Sequence, residues 1–402
     1  MPVERPQQWR FMLFDGIALI VLVGTVCRGL DHVSVYALGH WLLTWDFGYV
    51  KRGLLGTLLH PLIANKQASE VREIVAMVAS VVFTLLTVAL LQAARRVARA
   101  GALGAMSSLA FLASCGVIGM ASTFGYLDHV LGCVTFLAVV AVGRGRWAVA
   151  SLLCTLGLAV HELFVLYGFP VVFFAMVLRS GMPGSGPRRG LRVVASLLTP
   201  FAFLLFVFWS QTTVSPERVA LLRAEMLSTR TLDAPAVGSV LYQLESSFSG
   251  NFAQHARRFP EHLLDWKIGR IAWPTLASLI GTSVALLWSA GRARLAPLAL
   301  LVSLAPLGIH AFAQDASRFT YMAVVQAFFC VYAVVSGVRV AVPLAGAQPV
   351  ALPRVARLAL GMSALLAIAA SLHWRAPLMG RLVDGKGMFA PRAQPLAQPG
   401  PR

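Results

Sequence analysis

Residues 44–65 carry the side chains of this sequence that are best suited to chemistry. An acid, Asp46, lies close to two adjacent cations, Lys51 and Arg52, with glycines between and beyond them. A carboxylate can act as a general base toward a hydroxyl, and an ammonium beside a guanidinium binds phosphate oxygens. These residue types therefore predict group transfer between a hydroxyl and a phosphate-bearing substrate. The alternative is a local ion pair, with the cations contacting lipid headgroups.

A second acid, Asp128, lies in the predicted outer turn at residues 123–129 and precedes His129. Asp128 and His129 could position an acceptor. Asp128 and Asp46 together could also supply oxygen ligands to a divalent cation, Mg²⁺ or Mn²⁺, and no other cofactor is expected. Alternatively, Asp128 caps the helix that begins here, because an acid before an apolar segment is a common start signal.

His161 and Glu162 lie deep within apolar sequence. An acid inside a membrane segment is a functional candidate because burying its charge is costly, so both residues are candidates for substrate binding. The alternative is a His–Glu pair that satisfies itself and closes a helical hairpin. The sequence HELFV lacks the second histidine of HExxH, so zinc-protease chemistry is not supported.

Arginines later in the chain could also bind phosphate. Arg318 lies three residues after Asp315, so the two could pair on one helix face, or Arg318 could face a pyrophosphate. Arg257 and Arg258 lie in a long polar segment, where they belong either to a solvated face or to a second phosphate site. All four residues are therefore candidates for substrate binding.

The composition excludes a soluble fold. Of the 402 residues, 58% are hydrophobic and 12% are charged, which is more apolar surface than a soluble domain can bury. The apolar segments have the length of helices and lack the alternation of barrel strands. We therefore predict an all-α, polytopic membrane helical bundle. The net charge of +18 comes mainly from basic residues between apolar segments, so no nucleic-acid partner is expected.

The apolar segments predict about eleven transmembrane helices in one domain, residues 1–373, followed by a poorly ordered tail at residues 374–402. The long run at 147–178 is divided into two spans around His161 and Glu162. The other nine spans are predicted at residues 11–30, 72–94, 102–122, 129–143, 191–210, 271–290, 295–312, 320–338 and 356–373.

Lysine and arginine set the predicted orientation. With the N-terminus in the cytoplasm, every inner loop is basic, as the positive-inside rule requires. All but Glu4 and Asp15 of the sixteen acids, and all nine histidines, then fall on the outer side. The chemistry is therefore expected at the outer face, among membrane lipids. The composition is compatible with a bacterial source, in which that face is the periplasmic side of the inner membrane.

The first predicted outer loop, residues 31–70, holds Asp46 and its neighbouring cations. Two short juxtamembrane helices are expected in it at 32–45 and 54–64, because both segments are apolar but too short to span a membrane. Aromatic residues are predicted to anchor this loop at headgroup depth. They are Trp41, Trp45 and Tyr49.

The longest predicted outer loop covers residues 211–270 and is mixed in charge. Short helices are predicted at 214–227 and 259–270. A flexible break is predicted at 246–251, where small and polar residues cluster.

This layout resembles the GT-C class of membrane glycosyltransferases, which use polyprenyl-phosphate or polyprenyl-pyrophosphate sugars outside the membrane. Members typically carry an essential acid and two short helices in the first outer loop, as Asp46 and its flanking segments do here. A second acid between the third and fourth spans matches Asp128, and the long outer loop matches 211–270. The resemblance covers roughly residues 1–290. The large soluble C-terminal domain of some members has no counterpart, which argues against oligosaccharide transfer to protein.

The resemblance implies an inverting glycosyltransferase. A sugar would pass from a polyprenyl-phosphate-linked donor to an envelope glycan or lipid acceptor, with Asp46 deprotonating the acceptor and Asp128 orienting it or a metal. Lys51, Arg52 and Arg318 would hold the phosphate. One alternative is a polymerase of O-antigen or exopolysaccharide, which transfers whole repeat units from lipid-pyrophosphate carriers. An alternative of another class is a lipid or solute transporter, although inner-half acids are rare in this sequence.

Overall fold

The computed structural model describes residues 5–181, 188–211, 215–245, 248–263, 266–312, 316–339 and 353–372. Within these ranges the fold is all-helical and contains no β-strand, which confirms the predicted fold class at that level. The predicted C-terminal tail, residues 374–402, lies outside them.

Eighteen α-helices, some separated by 3-10 turns, make up the described part of the chain. They are α1 (Arg5–Gly29), α2 (Val35–Trp41), α3 (Gly53–Ile63), α4 (Ala68–Ala98), α5 (Ala102–Leu112), α6 (Cys115–Ser122), α7 (Asp128–Gly143), α8 (Trp147–Val160), α9 (Phe169–Ser180), α10 (Arg188–Gln211), α11 (Pro216–Ser228), α12 (Ala234–Glu245), α13 (Phe248–His255), α14 (Phe259–Leu263), α15 (Trp266–Ser289), α16 (Ala296–Leu304), α17 (Ala316–Arg339) and α18 (Arg354–Leu372).

Eight helical segments of the described ranges are long and apolar enough to cross a membrane, which is typical of a multi-pass membrane protein. Four further apolar helices of the described ranges, α3, α7, α8 and the Leu358–Ala370 part of α18, are shorter, so the predicted number of eleven stays a prediction. The eight segments are Phe11–Gly29, Ala68–Ala98, Ala102–Ser122, Glu162–Ser180, Gly190–Ser210, Ile271–Ser289, Ala293–Ala311 and Arg318–Gly337.

Helix α17 lies at the centre of the bundle. Its apolar window is 94% buried, against 17% for the windows of α1 and α10, which present apolar side chains to the surroundings. Helix α6 can approach α17 closely because Gly116 lies against Val324 and Gly119 lies against Tyr321. This close packing fixes the start of α17, where Arg318 is found.

The helical run is interrupted between α8 and α9, at the position predicted from His161 and Glu162. Gly168 has a φ of +99° there, a backbone conformation that favours glycine. Gln326 of α17 stabilises the break, because its Oε1 accepts from the Gly168 N–H at 2.7 Å and its Nε2 donates to the Leu166 carbonyl at 3.1 Å. Unpaired backbone groups are costly in a membrane, so this side chain holds the turn that presents His161 and Glu162.

The first predicted outer loop contains the two expected short helices, α2 and α3. The predicted headgroup anchor Trp41 is wrong, however, because its side chain is only 3% exposed and its Nε1 donates to the Gly125 carbonyl at 2.7 Å. The physical reason is that α12 covers α2, with Gly39 fitted against Val240. Helix α2 is therefore packed within protein.

The loop between α2 and α3 folds back on α3. A Cβ atom at Gly56 would collide with the carbonyl of Leu43, so this close approach requires glycine. Trp45 closes the loop by donating from Nε1 to the Val50 carbonyl at 2.8 Å. Residues 46–52 are consequently held as one compact turn at the start of α3.

The long polar segment is more helical than predicted. Helix α11 begins near the predicted position, and α14 occupies part of the predicted 259–270 helix. The flexible break predicted at 246–251 is wrong where the structure describes it, because α13 begins at Phe248. Helix α12 was not predicted at all, since burial of its apolar residues depends on α2, which is distant in sequence.

Several predicted inner loops contact one another at one end of the bundle. Arg179 donates to the Gly143 carbonyl, and Arg292 donates to the carbonyls of Leu178 at 2.6 Å and Gly181 at 3.3 Å. These contacts join the loops after α7, α9 and α15, which is consistent with basic loops that share one side.

Candidate functional site

Six charged or titratable residues from five parts of the chain come together in the protein interior, and we name this group the charge cluster. They come from α2, the start of α3, the first residue of α7, the α8–α9 break and the start of α17. Its members are His40, Arg52, Asp128, His161, Glu162 and Arg318.

Arg318 and Asp128 form one buried ion pair of the cluster. The guanidinium donates from Nε to Oδ2 at 2.6 Å and from Nη2 to Oδ1 at 2.7 Å, so both carboxylate oxygens are engaged. The side chains are 10% and 7% exposed. Arg318 also lies 4.7 Å from the centre of the Tyr126 ring. These contacts fix the plane of the guanidinium.

Arg52 and Glu162 form the second pair. Nε of Arg52 donates to both oxygens of Glu162, at 3.1 and 3.2 Å, and Nη2 donates to Oε1. Arg52 has a φ of +67°, and backbone held in this left-handed conformation at a residue other than glycine often marks a functional site. Arg52 is the residue directly before α3, so its side chain is presented from the start of that helix.

His40 and His161 flank the second pair. His40 donates from Nδ1 to the Tyr36 carbonyl at 2.9 Å, so its Nε2 accepts from Nη1 of Arg52 at 2.9 Å. Burial, followed by the charge of Arg52, holds the pKa of His40 well below its ordinary value, so this imidazole is neutral. Nδ1 of His161 lies 3.1 Å from Oε2 of Glu162, which confirms the local His–Glu contact and extends it to Arg52.

A narrow cleft opens between Arg318 and the two histidines His40 and His161. A second narrow cleft is lined by Arg318, Asp128 and Tyr167. Arg318 therefore borders both spaces. The first cleft is lined by His40 and by side chains that can donate hydrogen bonds, namely Tyr36, Tyr126, His161 and Arg318.

Lys51 adds a third cation beside the cluster and is only 8% exposed. Burial lowers the pKa of Lys51 to about 8, although the charge of Glu162 acts in the opposite direction and Arg52 lowers it further. The ammonium is therefore charged at neutral pH but loses its proton easily. Together, Lys51, Arg52 and Arg318 outnumber the two carboxylates, so the region favours an anion.

Asp46 lies in a different group of side chains, which we name the Asp46 group. Its Oδ2 is 3.0 Å from Nδ1 of His60 on α3, and the same nitrogen is 3.7 Å from Oε1 of Glu225 on α11. Burial, and then the charge of Asp46, raise the pKa of Glu225. The three side chains are partly exposed, Asp46 at 43%, His60 at 39% and Glu225 at 25%. Arg52 pairs with Glu162, which leaves Asp46 to interact with His60.

The remaining predicted residues are placed as follows. His129 donates from Nε2 to the Met120 carbonyl at 2.8 Å and packs edge-on against a phenylalanine ring, so its contacts are those of a core residue. Arg257 is exposed. Asp315 and the side chain of Arg258 lie outside the described residues.

Sequence reasoning missed His40. The spacing of Tyr36 and His40 offered a signal, because residues four apart lie on one helix face. The helix-cap alternative for Asp128 is wrong, because Leu127 occupies that position and the Asp128 carboxylate faces Arg318. Its partner lies 190 residues away, which no local pattern could indicate.

Comparison with known proteins adds no assignment to this geometry. No protein-family model, no curated protein and no solved structure was found to match the chain. The charge cluster and the Asp46 group are therefore the features of the described residues that bear on function.

Proposed function

We propose that the chain is a membrane glycosyltransferase that transfers a sugar from a polyprenyl-phosphate-linked donor to an envelope glycan or lipid acceptor, with inversion at the sugar. The observation that carries the proposal is the pair of buried guanidiniums, Arg52 and Arg318, each fixed by a carboxylate. A cleft beside Arg318 is also lined by His40 and His161, which contact the Arg52–Glu162 pair. Charges at such positions are costly and are usually retained for a substrate. A phosphate is one of the substrate groups whose geometry an arginine fork matches.

The charge cluster would act on the leaving group. When the sugar is transferred, the bond to the donor phosphate breaks and negative charge grows on the phosphate. Cations already oriented toward that charge stabilise it without rearrangement, and such contacts contribute several kcal/mol at catalytic sites. In this reading Asp128 and Glu162 are positioning residues, because they orient Arg318 and Arg52. Lys51 supplies further positive charge.

Asp46 is the proposed base on the acceptor side. It lies six residues before Arg52 on the compact turn that Trp45 closes, so one short loop carries both the base and a phosphate ligand. Its partial exposure suits a group that must reach an incoming acceptor hydroxyl.

The lipid tail of the donor would lie along α10. Tyr49 of the turn packs against Phe206 of α10, with ring centres 4.8 Å apart. Helix α10 continues with exposed apolar side chains, among them Phe201 and Trp209. A polyprenyl chain in the membrane could therefore lie against α10 while its phosphate reaches the charge cluster.

The membrane arrangement proposed from the sequence accommodates this chemistry. In the proposed arrangement, with eleven spans, the N-terminus would lie in the cytoplasm and the charge cluster at the periplasmic face of a bacterial inner membrane. Such a donor needs no nucleotide at that face.

The test is transfer of a labelled sugar from a short-chain polyprenyl-phosphate donor by purified protein in lipid nanodiscs. We expect Arg52→Lys, Arg318→Lys and Asp46→Asn each to reduce transfer at least tenfold. The control is Arg95→Lys, because Arg95 forms an exposed ion pair with Asp15 outside the charge cluster. A wild-type rate of sugar transfer in both Arg52→Lys and Arg318→Lys would contradict the assignment of the donor site to the charge cluster.

The same assay separates the alternatives. A polymerase would use repeat units on lipid pyrophosphate and leave single-sugar donors untouched. A transporter would move the labelled lipid between leaflets without forming a product. Either result, with folded protein, would replace the proposed activity.

A further inference from the structure

The Asp46 group has the geometry of a metal centre. Nδ1 of His60 lies 3.0 Å from Oδ2 of Asp46 and 3.7 Å from Oε1 of Glu225, and the three atoms all lie within 4.8 Å of one another. Ligands at about 2.1 Å from a tetrahedral ion are about 3.4 Å apart, so these atoms need little movement to surround one.

The group is also short of positive charge. Two carboxylates from distant parts of the chain face one imidazole nitrogen, and that nitrogen can carry only one proton. The proton can therefore satisfy only one carboxylate at a time. A divalent cation between the three groups would satisfy both carboxylates and the imidazole lone pair together.

The structure assigns a divalent metal site to Asp46, His60 and Glu225. Sequence reasoning had paired Asp46 with Asp128 for this purpose, but both oxygens of Asp128 are engaged by Arg318. One imidazole and two carboxylates suit Zn²⁺ or Mn²⁺ better than Ca²⁺ or Mg²⁺, which prefer oxygen ligands alone. Three protein ligands leave at least one position open for water or an acceptor hydroxyl. Asp46 would bind the ion through Oδ2, the oxygen that faces His60, and its Oδ1 would remain the base of the proposed transfer.

The site would also fasten α11 to the first loop. Arg218 lies two turns before Glu225 on α11, and its guanidinium rests against Gly48 of the turn. One face of α11 thus makes two contacts with this region. Arg218 contacts the turn at Gly48, and Glu225 faces His60 on α3. A shared ion would convert the Glu225 contact into a strong link between segments far apart in the sequence.

The experiment measures metal binding in the absence of any sugar donor, so its failure is separable from failure of the proposed function. Full-length protein in detergent is stripped with chelator and titrated with Zn²⁺ and with Mn²⁺, and bound metal is counted after gel filtration. We expect one equivalent for the wild-type protein. Trypsin cleavage after Arg218 and Arg223 should slow when the metal is bound.

We expect His60→Gln and Glu225→Gln to weaken binding by at least about 100-fold, since even loss of a partner outside the ligand shell costs 10–100-fold. The control is Glu245→Gln, which removes an exposed acid from the neighbouring helix α12. His60→Cys keeps a ligand and should retain Zn²⁺ while losing Mn²⁺, which tests the site even if the Gln variants fold poorly. No stoichiometric binding by wild-type protein, or unchanged binding in folded His60→Gln and Glu225→Gln, overturns the assignment.

Discussion

The Asp128–Arg318 pair allows the donor site to be separated from a merely structural ion pair. Arg318→Met would leave the Asp128 carboxylate buried without its guanidinium, and Asp128→Leu would do the reverse. Each change should lower the free energy of unfolding by about 3–5 kcal/mol, because an uncompensated buried charge remains. Arg318→Met should lose about 1 kcal/mol more, since the contact with the Tyr126 ring also disappears.

The double variant Asp128→Leu/Arg318→Met removes both charges at once. Replacing a whole buried pair by apolar residues is often neutral, so its free energy of unfolding should lie within about 2 kcal/mol of wild type. Its sugar transfer should nevertheless be lost, because the phosphate loses a guanidinium. A stable and inactive double variant is thus the outcome expected of a functional pair.

Unfolding by SDS in mixed micelles measures the free energy of unfolding. The rate of sugar transfer from the labelled lipid-linked donor measures activity. The matched control is Asp15→Leu/Arg95→Met, whose exposed pair should contribute about 0–1 kcal/mol. The reasoning is refuted if the Asp128/Arg318 double variant transfers sugar at the wild-type rate. Single substitutions that cost less than about 1 kcal/mol would refute the burial argument instead.

Two further predictions concern the turn at residues 46–52. The kcat/KM for the donor should fall as pH rises through about 8, because burial lowers the pKa of Lys51 and the ammonium loses its charge there; Lys51→Arg should retain activity at pH 9. Gly56→Ala should lower the free energy of unfolding by about 1–3 kcal/mol in the same SDS titration, since the new Cβ meets the Leu43 carbonyl, whereas Gly24→Ala, with open space, should not.

A kcat/KM that is flat from pH 7 to pH 10, or a profile unchanged by Lys51→Arg, would remove Lys51 from the donor site. A Gly56→Ala protein as stable as Gly24→Ala would mean that α3 and the turn do not pack as closely as described.

Much of the helical framework could be predicted from the sequence alone. Apolar runs long enough to span a membrane were visible at α1, α4 and α10, and the break at His161 and Glu162 was visible as polar residues within an apolar run. These signals are local, because helix formation in a membrane depends on continuous apolar residues and internal backbone hydrogen bonds. Helix α12 was missed because its burial depends on a remote partner.

The sequence also determined which residue types are available for chemistry, since carboxylates, arginines and histidines occur in the polar breaks between apolar runs. Only the tertiary structure decided their partners. Asp128 meets Arg318 across 190 residues, Arg52 meets Glu162 across 110, and Asp46 is directed to His60 and Glu225 instead of Asp128. The physical reason is that buried charges pair wherever helix packing brings them together, and close glycine contacts such as Gly119 against α17 set that packing.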